Sequence, residues 1–402
     1  MTPRVYDIVI FGATGFTGQL TVQYLSQKLV DGTFSLAIAG RNFNKLHTLK
    51  NELVAIDRGN EVIGVEVADV ADEASMMALA AKTRVLITTV GPYTEFGEAA
   101  IKACAEKGTD YLDLTGELEF VERMYAKYDM VARSTKCRLI HCCGFDSIPH
   151  DLGVLFAVQQ LSEEAGELVR SDVFVDGYVK VGGRISGGTW HTMINAFSRL
   201  AKNLDVVKFW RSLTQGKDVD GRRIRAAKPQ LKYDYTLRSW VVSLPTIDGQ
   251  VVRRSAELFE QYGRRFTYGH YLQIRRLPKL LMTLGGFSSV IALSQFKWTR
   301  NKLLELLPQG EGPTDGDRER AWFKVTIRAR SGRHKVVASV RGGDPGYTET
   351  AKMLSESALA LVLDNAHLEP VYGVLTPAAA MGNRLIERLD QAGIKFTLLE
   401  DY

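Results

Sequence analysis

The chain has 402 residues, 45% of them hydrophobic and 24% charged. This globular composition excludes a disordered or fibrous protein, and the length calls for two domains. The formal net charge of +5 hides a basic middle, because residues 199–341 hold 29 Lys and Arg against 12 Asp and Glu while the rest of the chain is acidic.

From the N-terminus, short apolar runs alternate with amphipathic stretches. Strands are predicted at Tyr6–Phe11, Ser35–Ala39, Val62–Val67, Val85–Val90, Asp110–Leu114 and Arg138–Cys142. Between the first two, Gly18, Val22, Leu25 and Leu29 share one helical face. Strand, helix, strand, repeated in this way, implies a Rossmann-type α/β fold, a doubly wound parallel sheet, over residues 1–150. Beyond it come a strand over Asp172–Val181, glycine-rich Gly182–Gly188 and a helical run near Thr189–Asn203. Residues from about 204 to 320 are basic, aromatic-rich and irregular in pattern. Trp322–Arg330 and His334–Arg341 alternate around Ser331-Gly332 as a hairpin. The C-terminal part reads as a helix near Tyr347–Leu363, a second helix capped by Thr376 with Pro377 in its first turn, and a strand near Ile394–Leu398.

Gly12-Ala13-Thr14-Gly15-Phe16-Thr17-Gly18 directly follows the first strand and opens a helix. Glycines let the backbone approach a pyrophosphate, and the helix N-terminus receives its charge. After the second strand, where an NAD enzyme places a carboxylate, stand Arg41 and Asn42. A guanidinium there can pair with a 2′-phosphate, so NADP(H) is the expected cofactor; the alternative is a solvated loop charge. Asp69, after the third strand, accepts from adenine or caps the next helix. Val90-Gly91-Pro92-Tyr93 follows the fourth strand and should pass near the nicotinamide half, with Tyr93 either donating a proton or packing. The run from His141 through Cys142, Cys143, Asp146 and Ser147 to His150 gathers titratable groups after the sixth strand. Its bland reading is buried cysteines and a helix cap at Asp146 or Ser147. The four cysteines form neither a zinc-type spacing nor a disulfide framework, so a reducing compartment and no metal site are expected. The opening lacks a signal-peptide pattern, which makes a cytoplasmic protein the expectation.

These motifs, with Gly187-Gly188-Thr189, Asp344-Pro345-Gly346-Tyr347, Thr348 through Leu354 and the run from Gly373 to Gly382, resemble the saccharopine dehydrogenase-like oxidoreductases over nearly the whole chain. Within them the chain is similar to the trans-acting enoyl reductases. The resemblance implies an NADP-binding Rossmann domain and an inserted second α/β domain, with a mixed or antiparallel sheet, over residues 151–345. That domain would serve substrate binding or dimerisation and would carry the basic amphipathic insertion; residues 346–402 would return toward the first domain. The resemblance also implies a lipid or polyketide-like acyl substrate.

Leu280 to Phe296 form a run without a charge, framed by Arg275, Arg276, Lys279, Lys297, Arg300 and Lys302. It is short for a span, and it reads as an element at an anionic membrane surface, an apolar wall for a lipid substrate, or a core helix or subunit contact. The basic residues are too scattered for nucleic acid. The expected function is an NADPH-dependent reductase that sends hydride to a polarised C=C, with Tyr93, Asp146 and His150 as candidate proton donors. The partners expected are a small-molecule or lipid-like substrate, the inner face of a membrane bound peripherally, and a second copy of the chain. Alternatives are a catalytically silent nucleotide-binding scaffold at lipid surfaces and a saccharopine-type amino-acid dehydrogenase.

Overall fold

A computed structural model describes residues 4–29, 32–166, 172–183, 217–244, 246–307 and 313–399, with single positions between 190 and 198. The run from Arg184 to Thr189 and most of the helix expected near residues 189–203 lie outside the described residues. The chain forms two compact units, Met1–Ile148 with Tyr347–Ala392, and Pro149–Gly346 with Gly393–Tyr402.

The first unit is built on β1 (Tyr6–Phe11), β2 (Leu36–Gly40), β3 (Gly64–Val67), β4 (Thr83–Thr88), β5 (Asp110–Leu112), β6 (Arg138–Ile140) and β15 (Gly373–Leu375). Their order is β15-β6-β5-β4-β1-β2-β3, and every pairing is parallel. Ile8, Val9, Ile10 and Phe11 of β1 are all buried, as a strand covered on both faces requires. The helix Phe16–Ser26 buries Gly18, Val22 and Leu25; each fully buried Val or Leu contributes about 1.5–3 kcal/mol. Leu29 lies beyond that helix's end. The chain order reverses between β1 and β4, so a crevice for ligand is expected at their carboxyl ends.

Most expected strands fall within a few residues of the observed ones. β4 ends at Thr88: Thr89 N–H makes the last rung to β1, donating to Phe11 O at 3.0 Å, and Val90 N–H then turns back to Thr88 Oγ1 at 3.3 Å. The helix expected to be capped by Asp146 or Ser147 starts at Ile148, whose N–H donates to Gly144 O, and it runs to Ala165. Thr376 Oγ1 caps the helix Pro377–Gln391 by accepting from Ala379 N–H.

The second unit carries β7 (Asp172–Gly182), β8 (Lys217–Val219), β9 (Arg222–Ala226), β10 (Leu231–Asp234), β11 (Ser239–Ser243), β12 (Arg265–Ile274), β13 (Trp322–Ser331), β14 (His334–Gly342) and β16 (Lys395–Leu398). The sheet runs β10-β11-β12-β7-β13-β14-β16, with β9 also on β12 and β8 on β9. It is mixed: β12 is parallel to β7 and β9, and the remaining pairs are antiparallel. β13 and β14 are the expected hairpin. The basic middle supplies β8 to β12 and the helices Asp248–Leu258, Leu277–Ser294 and Lys297–Glu305.

Candidate nucleotide site and buried polar clusters

The three glycines of the first loop do different work. Gly12 has φ +87°, and a Cβ there would stand 2.7 Å from Val90 Cγ2 and 2.8 Å from Thr89 Oγ1. A Cβ on Gly18 would reach 2.2 Å from Gly12 O, so this glycine seats the helix against the loop. Gly15 is exposed, and a Cβ there meets only Gly12 O at 3.4 Å. It is also the N-cap of the helix Phe16–Ser26 and brings no side chain to cap it. Room outside the loop and an uncapped helix N-terminus fit a pyrophosphate. Thr14 and Thr17 are half-buried beside it, and Phe16 packs edge-on against Tyr347 with ring centroids 4.8 Å apart.

Arg41 is exposed after β2 and has no hydrogen bond or ion pair among the described residues. Asn42 caps the helix Phe43–Ile56, its Oδ1 accepting from Lys45 N–H at 3.0 Å. Asp69 Oδ1 accepts from Ala71 N–H at 3.0 Å in a local turn, while the cap of the next helix is Asp72. Glycine loop, helix N-terminus and Arg41 all stand at the carboxyl edge of one sheet, an arrangement that suits a nucleotide with a 2′-phosphate.

Val90, Gly91 and Tyr93 stand at the carboxyl end of β4, beside the glycine loop. Thr89 Oγ1 donates to Gly12 O at 3.1 Å, which ties the two loops together. Tyr93 is buried; its hydroxyl donates to Thr88 O at 3.1 Å and accepts from Leu114 N–H at 3.2 Å. Burial, reinforced by the nearby Asp113, pushes the phenol well above its ordinary pKa. Glu117 receives Tyr93 N–H and Thr94 N–H at 2.8 and 2.9 Å, one on each oxygen.

Asp113, one residue past β5, was not singled out from sequence. Its Oδ2 accepts from His141 Nδ1–H at 2.7 Å and from the Tyr111 hydroxyl at 3.1 Å. Its Oδ1 accepts from Cys142 N–H at 3.0 Å and Thr115 N–H at 3.1 Å. This carboxylate therefore pins the loops after β5 and β6. Cys142 and Cys143 are buried, and desolvation raises the Cys142 thiol well above its usual pKa, as the small-buried-residue reading expects. Asp146 is half-buried in the loop after β6.

His150 belongs to the second unit, where it meets Tyr268, His270 and Asp248. All four side chains are buried. His150 Nδ1 lies 3.1 Å from the Tyr268 hydroxyl, and the His150 and His270 rings meet edge-on with centroids 4.4 Å apart. Burial holds the His150 imidazole well below its ordinary value and His270 at about 3, and it pushes the Asp248 carboxyl up to about 7. No local sequence motif links these residues.

A parallel sheet that reverses order beside a glycine loop, with a cation and no acid after β2, defines an NADP(H)-binding Rossmann oxidoreductase. The family model of the saccharopine dehydrogenase NADP binding domain matches residues 8–137. A trans-acting enoyl reductase of Mycobacterium ulcerans (strain Agy99) is 32% identical, with 97% of each chain covered. A Mycobacterium tuberculosis (strain ATCC 25618 / H37Rv) protein provisionally given the same name is 34% identical over 98% of this chain and 97% of its own. Saccharopine dehydrogenase (L-Glu forming) from Saccharomyces cerevisiae superposes with a TM-score of 0.56 at 13% identity, covering 98% of this chain and 100% of that one, a likeness of fold. The chain belongs to the saccharopine dehydrogenase-like oxidoreductases, alongside the trans-acting enoyl reductases. It is an NADP(H)-dependent reductase.

Proposed function

We propose that the chain reduces the C=C of a lipid or polyketide-like enoyl chain and does so at an anionic membrane surface. The observation that carries the substrate class is the similarity, over nearly the full length, to proteins named trans-acting enoyl reductases. Bound NADPH supplies the hydride. The helix N-terminus at Gly15 holds the pyrophosphate, Arg41 holds the 2′-phosphate, and the loop after β4 orients the nicotinamide half. Asp146, half-buried at the carboxyl edge of the sheet, is the preferred proton donor. The engaged hydroxyl of Tyr93 supports a bracing part for that residue, and the surroundings of His150 support a separate role in the second unit. NADPH oxidation measured across a panel of enoyl thioesters tests the reading. Turnover on at least one acyl chain is expected, whereas stoichiometric NADPH binding without turnover on any of them would favour the silent scaffold.

The membrane part rests on the helix Leu277–Ser294, which has a mean hydropathy of 1.4 and of whose residues only 11% are buried. Leu281 is 61% and Met282 78% exposed, and beyond the helix Phe296 is 69% and Trp298 74% exposed. The flanking cations contribute about 1 kcal/mol each near anionic lipid, and salt screens that attraction, while inserted apolar side chains add a term that salt does not screen. Co-sedimentation with vesicles should therefore require anionic lipid and weaken with salt. Wild type left in the supernatant with anionic vesicles at low salt would contradict the proposal.

A further inference from the structure

Two histidines and an aspartate of the second unit converge where one edge of β12 changes partner. β9 pairs with Arg265–Tyr268 and β11 with Tyr271–Ile274, so Gly269 and His270 fall between the two. A cavity of about 50 Å³ opens at this seam, with Tyr268, His270, Thr246, Gln250 and Arg253 in its wall. Asp248 begins the helix behind it, and His150 comes from the helix Ile148–Ala165.

His150 Nε2 lies 3.7 Å from Asp248 Oδ1, and His270 Nε2 lies 3.6 Å from Asp248 Oδ2. Both separations are too long for hydrogen bonds. One ligand atom from each of the three residues lies within 4.8 Å of the others. A tetrahedral zinc ion with bonds of about 2.0–2.1 Å spaces its ligand atoms by roughly 3.3 Å, so a small inward movement completes the set.

The opposite ring nitrogens already have a use. His150 Nδ1 and His270 Nδ1 stand 3.1 and 3.4 Å from the Tyr268 hydroxyl oxygen, whose two lone pairs can accept both N–H groups. That tautomer turns both Nε2 lone pairs toward Asp248, and an outer hydrogen bond of this kind is the usual support of a metal-bound histidine. β7 leaves room for the arrangement, since a Cβ on Gly177 would stand 2.4 Å from the Tyr268 hydroxyl oxygen and 3.3 Å from His150 Nδ1. Gln250 Nε2 is buried, has no hydrogen-bond partner among the described residues, and belongs to the same cavity wall.

The geometry points to one divalent transition-metal ion of the zinc class, held by His150 Nε2, His270 Nε2 and an Asp248 oxygen, with a further position open to the cavity. Two imidazoles and one carboxylate suit zinc better than calcium or magnesium, which take all-oxygen shells. The open position takes a water, to which Gln250 Nε2 can donate. This goes against the sequence expectation of no metal, which rested on local spacing; these ligands come from three separate elements.

The test uses the untagged full-length protein, stripped with EDTA and dialysed. Zn²⁺ binding is followed by calorimetry, and Co²⁺ binding separately by visible absorption. Wild type should take up one equivalent of zinc, melt at a higher temperature with it, and show cobalt d–d bands from a low-symmetry site. His270→Gln and Asp248→Asn, checked for folding by circular dichroism, should lose at least about tenfold in zinc affinity. Wild type with no stoichiometric zinc uptake and no d–d absorption overturns the assignment, with no variant needed. Unchanged affinity in a folded Asp248→Asn overturns it as well, because the ion would then sit elsewhere.

Discussion

Asp113 in the nucleotide unit is 0% exposed and Asp248 in the second unit 6%, yet the two carboxylates live differently. Asp113 accepts from four donors at 2.7 to 3.1 Å. Around Asp248, the Thr246 side chain and the residue's own backbone N–H supply hydrogen bonds, and the two imidazole nitrogens stand off at 3.6 and 3.7 Å. A buried charge is tolerated when its lone pairs are taken. The first carboxylate is a finished structural anchor, whereas the second has coordination to spare. A saturated buried acid thus holds loops in place, and an unsaturated one marks a place for something else to bind.

The largest expected effect separates the two acids. Asp113→Ala strands four donors and should cost about 3–5 kcal/mol of stability. In chelator-treated protein, Asp248→Asn should stay within about 1 kcal/mol of wild type, because it removes an under-compensated charge. Urea denaturation measures both, and equal costs would erase the distinction.

The glycine loop offers the same contrast on a smaller scale. Gly18→Ala drives a Cβ to 2.2 Å from Gly12 O and should destabilise the fold by roughly 1–3 kcal/mol. Gly15→Val meets an ordinary contact at 3.4 Å and should fold, while losing roughly ten- to hundredfold or more in NADPH affinity. Melting curves beside NADPH titrations distinguish the two, and normal NADPH affinity in Gly15→Val would remove this loop from the site.

How legible each region was follows from its physics. β1 was read residue for residue, because Ile8 to Phe11 are buried on both faces and a glycine loop ends them. The glycine loop and Arg41 are local in sequence, so their chemistry could be read without the fold. β15 went unseen because Gly373–Leu375 is too short to show a period. Asp113 carried a usable signal, an acid directly after a buried strand, but its partner His141 lies one strand further on. His150, Asp248 and His270 meet only through tertiary packing around β12, and no spacing encodes that.

Two smaller effects remain. Arg41→Ala should reduce the preference for NADPH over NADH by roughly ten- to hundredfold, through loss of one charge-assisted pairing. Cofactor titrations that leave the ratio unchanged would exclude Arg41 as the reader of the 2′-phosphate. Met282→Ser combined with Phe296→Ser should lower only the salt-resistant part of vesicle binding, by roughly 1–3 kcal/mol in all. Co-sedimentation across a salt series resolves that part from the screened one.

The central claim is hydride transfer from NADPH to an enoyl chain, and isotope transfer tests it most directly. NADPH deuterated at the transferred C4 position is incubated with the protein and an enoyl thioester, and the acyl product is weighed by mass spectrometry. The account predicts a saturated product carrying one deuterium on carbon. Stoichiometric NADPH binding with no labelled product on any acyl chain in the panel would contradict it.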